Sequence, residues 1–153
     1  MLKSEAYEAA LAELRSRLCG ERDMTADLAN AAAVLYEHME NVNWLGFYIY
    51  RQHQLVLGPF QGRAAVTRID IGSGVCGTAF AEERTLVVED VHSFPGHIAC
   101  DLRSRSEIVV PLRCAGRLAG VLDIDSPVLS RFDSTDRIYL EKAAELLGES
   151  FDI

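Results

Sequence analysis

Trp44-Leu45-Gly46-Phe47-Tyr48-Ile49-Tyr50 is where the chain changes its period. Before it, apolar residues recur every three or four positions. Here aromatic and β-branched side chains run together, which is the composition of a strand. The polar turn Arg51-Gln52-His53-Gln54 and a second apolar run, Leu55–Leu57, make the pair a predicted β-hairpin with His53 in solvent. Trp44 and Tyr48 are four apart, so a strand puts them on one face, either as core or as walls for a small apolar or cationic ligand.

Upstream, Ser4 to Leu18 reads as a helix with Ser4 as its cap and Tyr7, Leu11, Leu14 and Leu18 as its apolar stripe. Gly20 closes it, and Cys19 is expected to be packing filler. A second helix is predicted from Thr25, its cap, to Met39, with Leu28, Ala31, Ala32 and Leu35 on one face. The two form a hairpin suited to covering one side of a sheet.

Downstream, Gly58-Pro59-Phe60-Gln61-Gly62 reads as a tight connection and Val66–Ile71 as a third strand. Gly72-Ser73-Gly74-Val75-Cys76-Gly77 then opens a short helix, Thr78–Glu82. A glycine-rich turn before a helix can cradle phosphate, but this one lacks a Lys-Ser/Thr ending and an all-apolar strand before it. The favoured reading is that it brings Cys76 to a helix N-terminus, where the dipole favours a thiolate. Leu86–Val88 is a short strand, and the long connection Glu89–Ser106 has the length of a functional loop. Glu107–Leu112 and Arg117–Asp125 complete the sheet around the turn Cys114-Ala115-Gly116, in which Cys114 is incidental. Pro127 ends the sheet. A last helix, capped by Asp133 or Ser134, runs to about Phe151 on Ile138, Leu140, Ala144 and Leu147. Helix, helix, a six-strand meander with a helical excursion, and helix define an α+β class with an antiparallel sheet.

At 153 residues, 49% apolar and 25% charged, the chain is long enough for one core that needs no metal or disulfide. Its formal charge of −8, without a basic run, argues against nucleic acid and anionic membrane as partners. No apolar stretch approaches a membrane span, and Met1–Leu14 has no signal-peptide core, so a cytoplasmic, reducing setting is expected. Four cysteines there are free, catalytic or metal-bound before they are structural disulfides.

The reactive residues gather in few places. Phe94-Pro95-Gly96-His97-Ile98-Ala99-Cys100-Asp101 joins rigid turn residues to a histidine, a cysteine and an aspartate. Cys76 lies 24 residues before Cys100, which is not a zinc spacing, and no C-x-x-C occurs. His92, His97 and the two cysteines converging on a metal is the weaker reading; a nucleophilic thiol with a second thiol to resolve it uses the same residues. No metal and no cofactor are expected. Strand alternation puts Leu118, Gly120, Leu122 and Ile124 on one face and Ala119, Val121, Asp123 and Asp125 on the other. The two aspartates are either exposed at the strand end or, with Glu107, a seat for an ammonium group in which one carboxyl keeps a proton.

These motifs together resemble the free methionine-(R)-sulfoxide reductases, stand-alone GAF-domain enzymes. The resemblance rests on Asn43–Tyr48, Leu57–Gly62, Gly74–Ala79, Asp90-Val91-His92, Phe94–Asp101, Ser104–Pro111 and Gly120–Ser126. It implies one GAF domain over 1–153, with a six-stranded antiparallel sheet flanked by N- and C-terminal helices. It implies reduction of free methionine sulfoxide with electrons from thioredoxin, and it admits a homodimer. Carried over by position, Cys100 is the catalytic cysteine and Cys76 a resolving or auxiliary one. Glu107, Asp123 and Asp125 become the substrate carboxylates, Trp44 and Tyr48 the aromatic wall, and Ile98 and Ala99 further substrate contacts. One departure is Val66, where the family usually has another cysteine, so recycling falls to Cys76 or to an external thiol. A GAF module that binds a ligand or senses oxidants without turnover is the competing expectation, disfavoured by the absence of an output domain.

Overall fold

A computed structural model describes residues 1–97 and 101–152. The first two helices are α1, Lys3–Leu18, and α2, Met24–His38. Asp23 caps α2 by accepting a hydrogen bond from the Ala26 N–H at 2.9 Å, so the cap is two residues earlier than the predicted Thr25. Cys19, expected as filler, is exposed, because it follows the last buried position of the α1 stripe.

The strands are β1 (Trp44–Arg51), β2 (Gln54–Gln61), β3 (Arg68–Asp70), β4 (Leu86–Val88), β5 (Ser106–Cys114) and β6 (Arg117–Ser126). Helix α3 (Gly74–Glu82) stands between β3 and β4, and α4 (Ser134–Ser150) closes the chain, capped by Asp133 through the Thr135 and Asp136 N–H groups. The hairpin β1–β2 turns on Gln52 and His53, both at positive φ, as a two-residue turn requires.

All neighbouring strands pair antiparallel, in the order β3-β2-β1-β6-β5-β4. This corrects the expected simple meander. Two three-strand meanders meet along β1 and β6, and the α3 excursion carries the chain from one sheet edge to the other. Gly58–Gln61 is also strand rather than a tight connection. The register slips between Gly46 and Tyr48, and Pro59 sits in that irregularity, beyond the stretch that pairs with β3, where a missing N–H costs little.

One sheet face carries Leu45, Phe47, Ile108, Val110, Leu112, Leu122 and Ile124, packed under α1, α2 and α4. Ile138, assigned to that core from spacing, is 48% exposed; the buried stripe of α4 is Asp136, Leu140, Ala143, Ala144 and Leu147. The other face carries Trp44, Tyr48, Val109 and Val121, packed against Cys76, Ala79 and Phe80 of α3. Leu118 and Ala119 exchange their expected faces, because the ladder slips where Leu112 pairs Gly120 but Arg113 pairs Leu118. Beyond the slip, Val121, Asp123 and Asp125 share a face as alternation predicts.

Candidate active site

The α3 face of the sheet holds the acidic groups. Asp123 lies opposite Gly46 on one side and Val109 on the other, and Asp125 lies between Trp44 and Glu107. All three carboxylates are buried: Glu107 is 5%, Asp123 6% and Asp125 7% exposed. This decides against the reading of the aspartates as solvated strand-end groups. Strand pairing brings them together because each sits on the same side of the pleat of adjacent strands.

Helix α3 supplies the fourth group. It starts at Gly74, earlier than the predicted Thr78, so Cys76 lies inside its first turn and points at the sheet. The Cys76 thiol, one Glu107 oxygen and one Asp123 oxygen all lie within 4.8 Å of one another. Burial pushes the Cys76 thiol well up, and the charges of Asp123, Glu107 and Asp125 push it further. The expected helix-end thiolate is therefore a neutral thiol here, since desolvation and three carboxylates outweigh one short helix dipole.

The same causes act on the carboxyls. Burial, then the charge of Asp123, raises Glu107 and Asp125 well above the ordinary range. Burial raises Asp123 too, with Glu107, Cys76 and His97 pulling it back. His97 Nε2 is 3.7 Å from Glu107 Oε1, and burial holds its imidazole toward the neutral form. Tyr48, Cys76, His97, Glu107, Asp123 and Asp125 line a cavity of ≈ 20 Å³. Larger grooves of ≈ 690 Å³ beside α4 and ≈ 520 Å³ beside α1 contain none of these groups.

Tyr48 lines the cavity, and its hydroxyl donates to the Val66 carbonyl at 2.8 Å. Position 66 is thus one hydrogen bond from the pocket. Trp44 stands a row behind: it stacks on Tyr48 at 6.0 Å and on Phe60 at 5.3 Å, and its Nε1–H donates to the Arg63 carbonyl at 2.9 Å. Gly46 makes that stack fit, since a Cβ there would lie 2.3 Å from Phe60 Cβ. Sequence reasoning missed Phe60, which the strand irregularity hid.

Cys100, Ile98 and Ala99 lie outside the described residues. Asp101, directly after Cys100, is 4% exposed. It accepts from Asn43 Nδ2 at 3.1 Å and from the Arg103 guanidinium at 2.7 Å, which together hold its carboxyl well below the usual range. Asn43 also donates to Ser104 Oγ at 3.0 Å and through its N–H to the Asp125 carbonyl, tying this segment to the acidic strand. An asparagine just before the first strand was quoted only as part of a motif; its tertiary partners reveal its role.

The fold and this site define the class, and the family model of the GAF domain matches residues 5–151. Protein YtsP of Bacillus subtilis (strain 168) is 52% identical over 150 residues, 97% of this chain and 92% of that protein. The free methionine-R-sulfoxide reductase of Escherichia coli (strain K12) is 49% identical over 136 residues, 89% and 82% of the two chains. A solved free methionine-R-sulfoxide reductase from Neisseria meningitidis, in complex with its substrate, matches with TM-score 0.93 at 49% identity, over 97% of this chain and 89% of that one. The chain belongs to the GAF-domain family and, within it, to the free methionine-(R)-sulfoxide reductases, which are oxidoreductases. No helix of the described residues is long and apolar enough to cross a membrane.

Proposed function

We propose that the chain reduces free L-methionine-(R)-sulfoxide to L-methionine in the cytoplasm, with Cys100 as nucleophile, Cys76 as resolving thiol and thioredoxin as reductant. The observation that carries this is the buried trio Glu107, Asp123 and Asp125, whose ion-pair contact among the described residues is one neutral-leaning histidine. Such a trio wants a cation, and the α-ammonium of a free amino acid supplies it. A methionine within a peptide has no such charge. Two relatives, each 49% identical, carry the reductase name, and one is solved with its substrate.

The chemistry follows from the protonation states. Sulfoxide sulfur resists attack until its oxygen takes a proton or a strong hydrogen bond. Glu107 and Asp125, raised by burial and then by the charge of Asp123, are the carboxyls that keep a proton most readily and can supply it. The Cys100 thiolate attacks sulfur to form an S–S bond. The protonated oxygen then passes to the Cys100 sulfur as the S–O and S–S bonds to the substrate break, so methionine leaves as the thioether and Cys100 is left as a sulfenic acid. The Cys76 thiol then displaces that oxygen as water and forms a disulfide, and an external dithiol returns both cysteines to thiols. Asp123 is placed to take the Cys76 proton, which a thiol raised this far cannot shed unaided. A cavity of ≈ 20 Å³ is too small for an amino acid, so its walls part on binding.

The deciding measurement is thioredoxin-coupled turnover on the two epimers of free methionine sulfoxide. Sustained consumption of reductant with the R epimer and none with the S epimer is expected. Stoichiometric binding without turnover would overturn the reductase reading in favour of a sensor.

A further inference from the structure

The geometry points to a second ligand for this pocket: a thiophilic divalent cation of the zinc type, held by Cys76 Sγ, Glu107 and Asp123. Coordination rests on the arrangement of these side chains alone; its consequence for turnover rests on the reductase reading above.

Three donor atoms within 4.8 Å of one another are already close to a coordination shell. Zinc binds thiolate at about 2.3 Å and carboxylate oxygen at about 2.0–2.2 Å, which separates tetrahedral donors by roughly 3.6 Å. Closing that gap takes side-chain movements of about an ångström, not a change of backbone. A second observation is independent of this clustering. Among the described residues, Asp123 Oδ1 is buried with no hydrogen-bond partner, on a residue 6% exposed that lines the cavity, whatever its carboxyl shares with Glu107 and Cys76 through the other oxygen. A buried carboxylate oxygen without a donor, on a residue that lines a pocket, is a coordination position open to a cation.

The donor set and the space choose the cation. A thiol favours borderline and soft metals. Magnesium and calcium want six or more oxygens and, for magnesium, several waters. Zinc needs four donors; His97 Nε2 lies 3.7 Å from Glu107 Oε1 but outside the 4.8 Å cluster, so a shift of the imidazole or a water completes the shell. Binding releases the Cys76 thiol proton, and any carboxyl proton, to solvent, so affinity rises with pH.

Two consequences follow. The cation takes the carboxylates that the substrate ammonium requires, so the two ligands exclude each other. It also holds Cys76 as a bound thiolate, unavailable for recycling. A site built for a cationic amino group and a resolving thiol is thereby sensitive to free zinc.

The probe is cobalt(II), titrated without oxygen into the reduced Cys100→Ser protein, which removes the other expected thiol of the site. One cobalt per chain is expected, with a thiolate-to-cobalt charge-transfer band and intense tetrahedral ligand-field absorption. Zinc should displace it, magnesium should not, and saturating free methionine-(R)-sulfoxide should abolish the band. Adding Cys76→Ser should remove the band, and Asp123→Asn should weaken binding at least ten-fold, with circular dichroism confirming the fold. Adding Cys19→Ser or Cys114→Ser should change nothing. A band that survives Cys76→Ser, or binding indifferent to Asp123→Asn, overturns the site. Turnover on the sulfoxide by the native chain without cobalt binding would sink this inference alone. Cobalt binding without turnover would sink the reductase reading alone.

Discussion

Glu107 lies directly opposite Asp125 across the β5–β6 ladder, both buried and both acidic. Like charges in that position repel, and neither has solvent to screen it. The pair persists because burial, and then the charge of Asp123, raises both carboxyls, so protons take the place of missing counter-ions and Glu107 can share one with Asp125.

Stability should therefore fall as pH rises. A carboxyl raised on folding contributes stability that is fully present below its unfolded value, about 4, and lost as pH climbs toward its folded value. Tm should drop as pH rises above about 4 and through the raised folded values of Glu107 and Asp125. Glu107→Gln should flatten that slope and raise Tm at the alkaline end by roughly 2–4 °C, about 1 kcal/mol, while kcat/KM falls about ten-fold. A variant that loses activity and stability together would place Glu107 as a structural group.

Cys100→Ser should leave the fold intact and reduce turnover below about a tenth of the parent, since loss of a covalent nucleophile costs orders of magnitude. Cys76→Ser should allow one turnover and block recycling by thioredoxin, with a small thiol able to rescue it. Cys19 is exposed just beyond the end of α1 and the Cys114 thiol donates to the Phe151 carbonyl at 3.0 Å, so neither competes. Peptide mass mapping after stoichiometric sulfoxide should find Cys76–Cys100; a Cys100–Cys114 linkage would refute it.

Asp101→Asn should lower kcat more than it changes KM. It removes a charge-assisted pair with Arg103 and weakens the Asn43 bond that fixes the residue after Cys100. Arg103 is half exposed, so the loss of stability is small, under about 1 kcal/mol. Steady-state kinetics and thermal melts of the same preparation separate the two effects. A fall in Tm that accounts for the lost activity would make Asp101 a stabilising residue only.

Gly148→Ala tests how α4 sits on the sheet. A Cβ there would lie 1.8 Å from the Arg113 carbonyl oxygen, so the helix must lift away from β5. Overpacking of this kind costs about 1–3 kcal/mol, or roughly 2–12 °C in Tm. Activity per folded molecule should be unchanged, because the α4 face is opposite the site.

What the sequence determined was what periodicity and local chemistry can carry. The change of period at Trp44, the helical stripes of Leu11 and Leu14 or Leu140 and Leu147, and the alternation of Val121, Asp123 and Asp125 are short-range patterns, so elements and faces were legible from them. The run of motifs from Asn43 to Ser126, taken together, resembled one family closely enough to name it. The Gly58–Gln61 strand and the Leu118–Ala119 exchange were not legible, because each turns on a register slip set by the partner strand. The sheet order, with β1 against β6, likewise needed the whole chain. Protonation was decided only in three dimensions. Cys76 at a helix start reads as a thiolate in one dimension; in the fold it is a buried thiol, because tertiary packing removes water and sets Glu107, Asp123 and Asp125 around it. Charge states depend on what surrounds a group, and only packing supplies the surroundings.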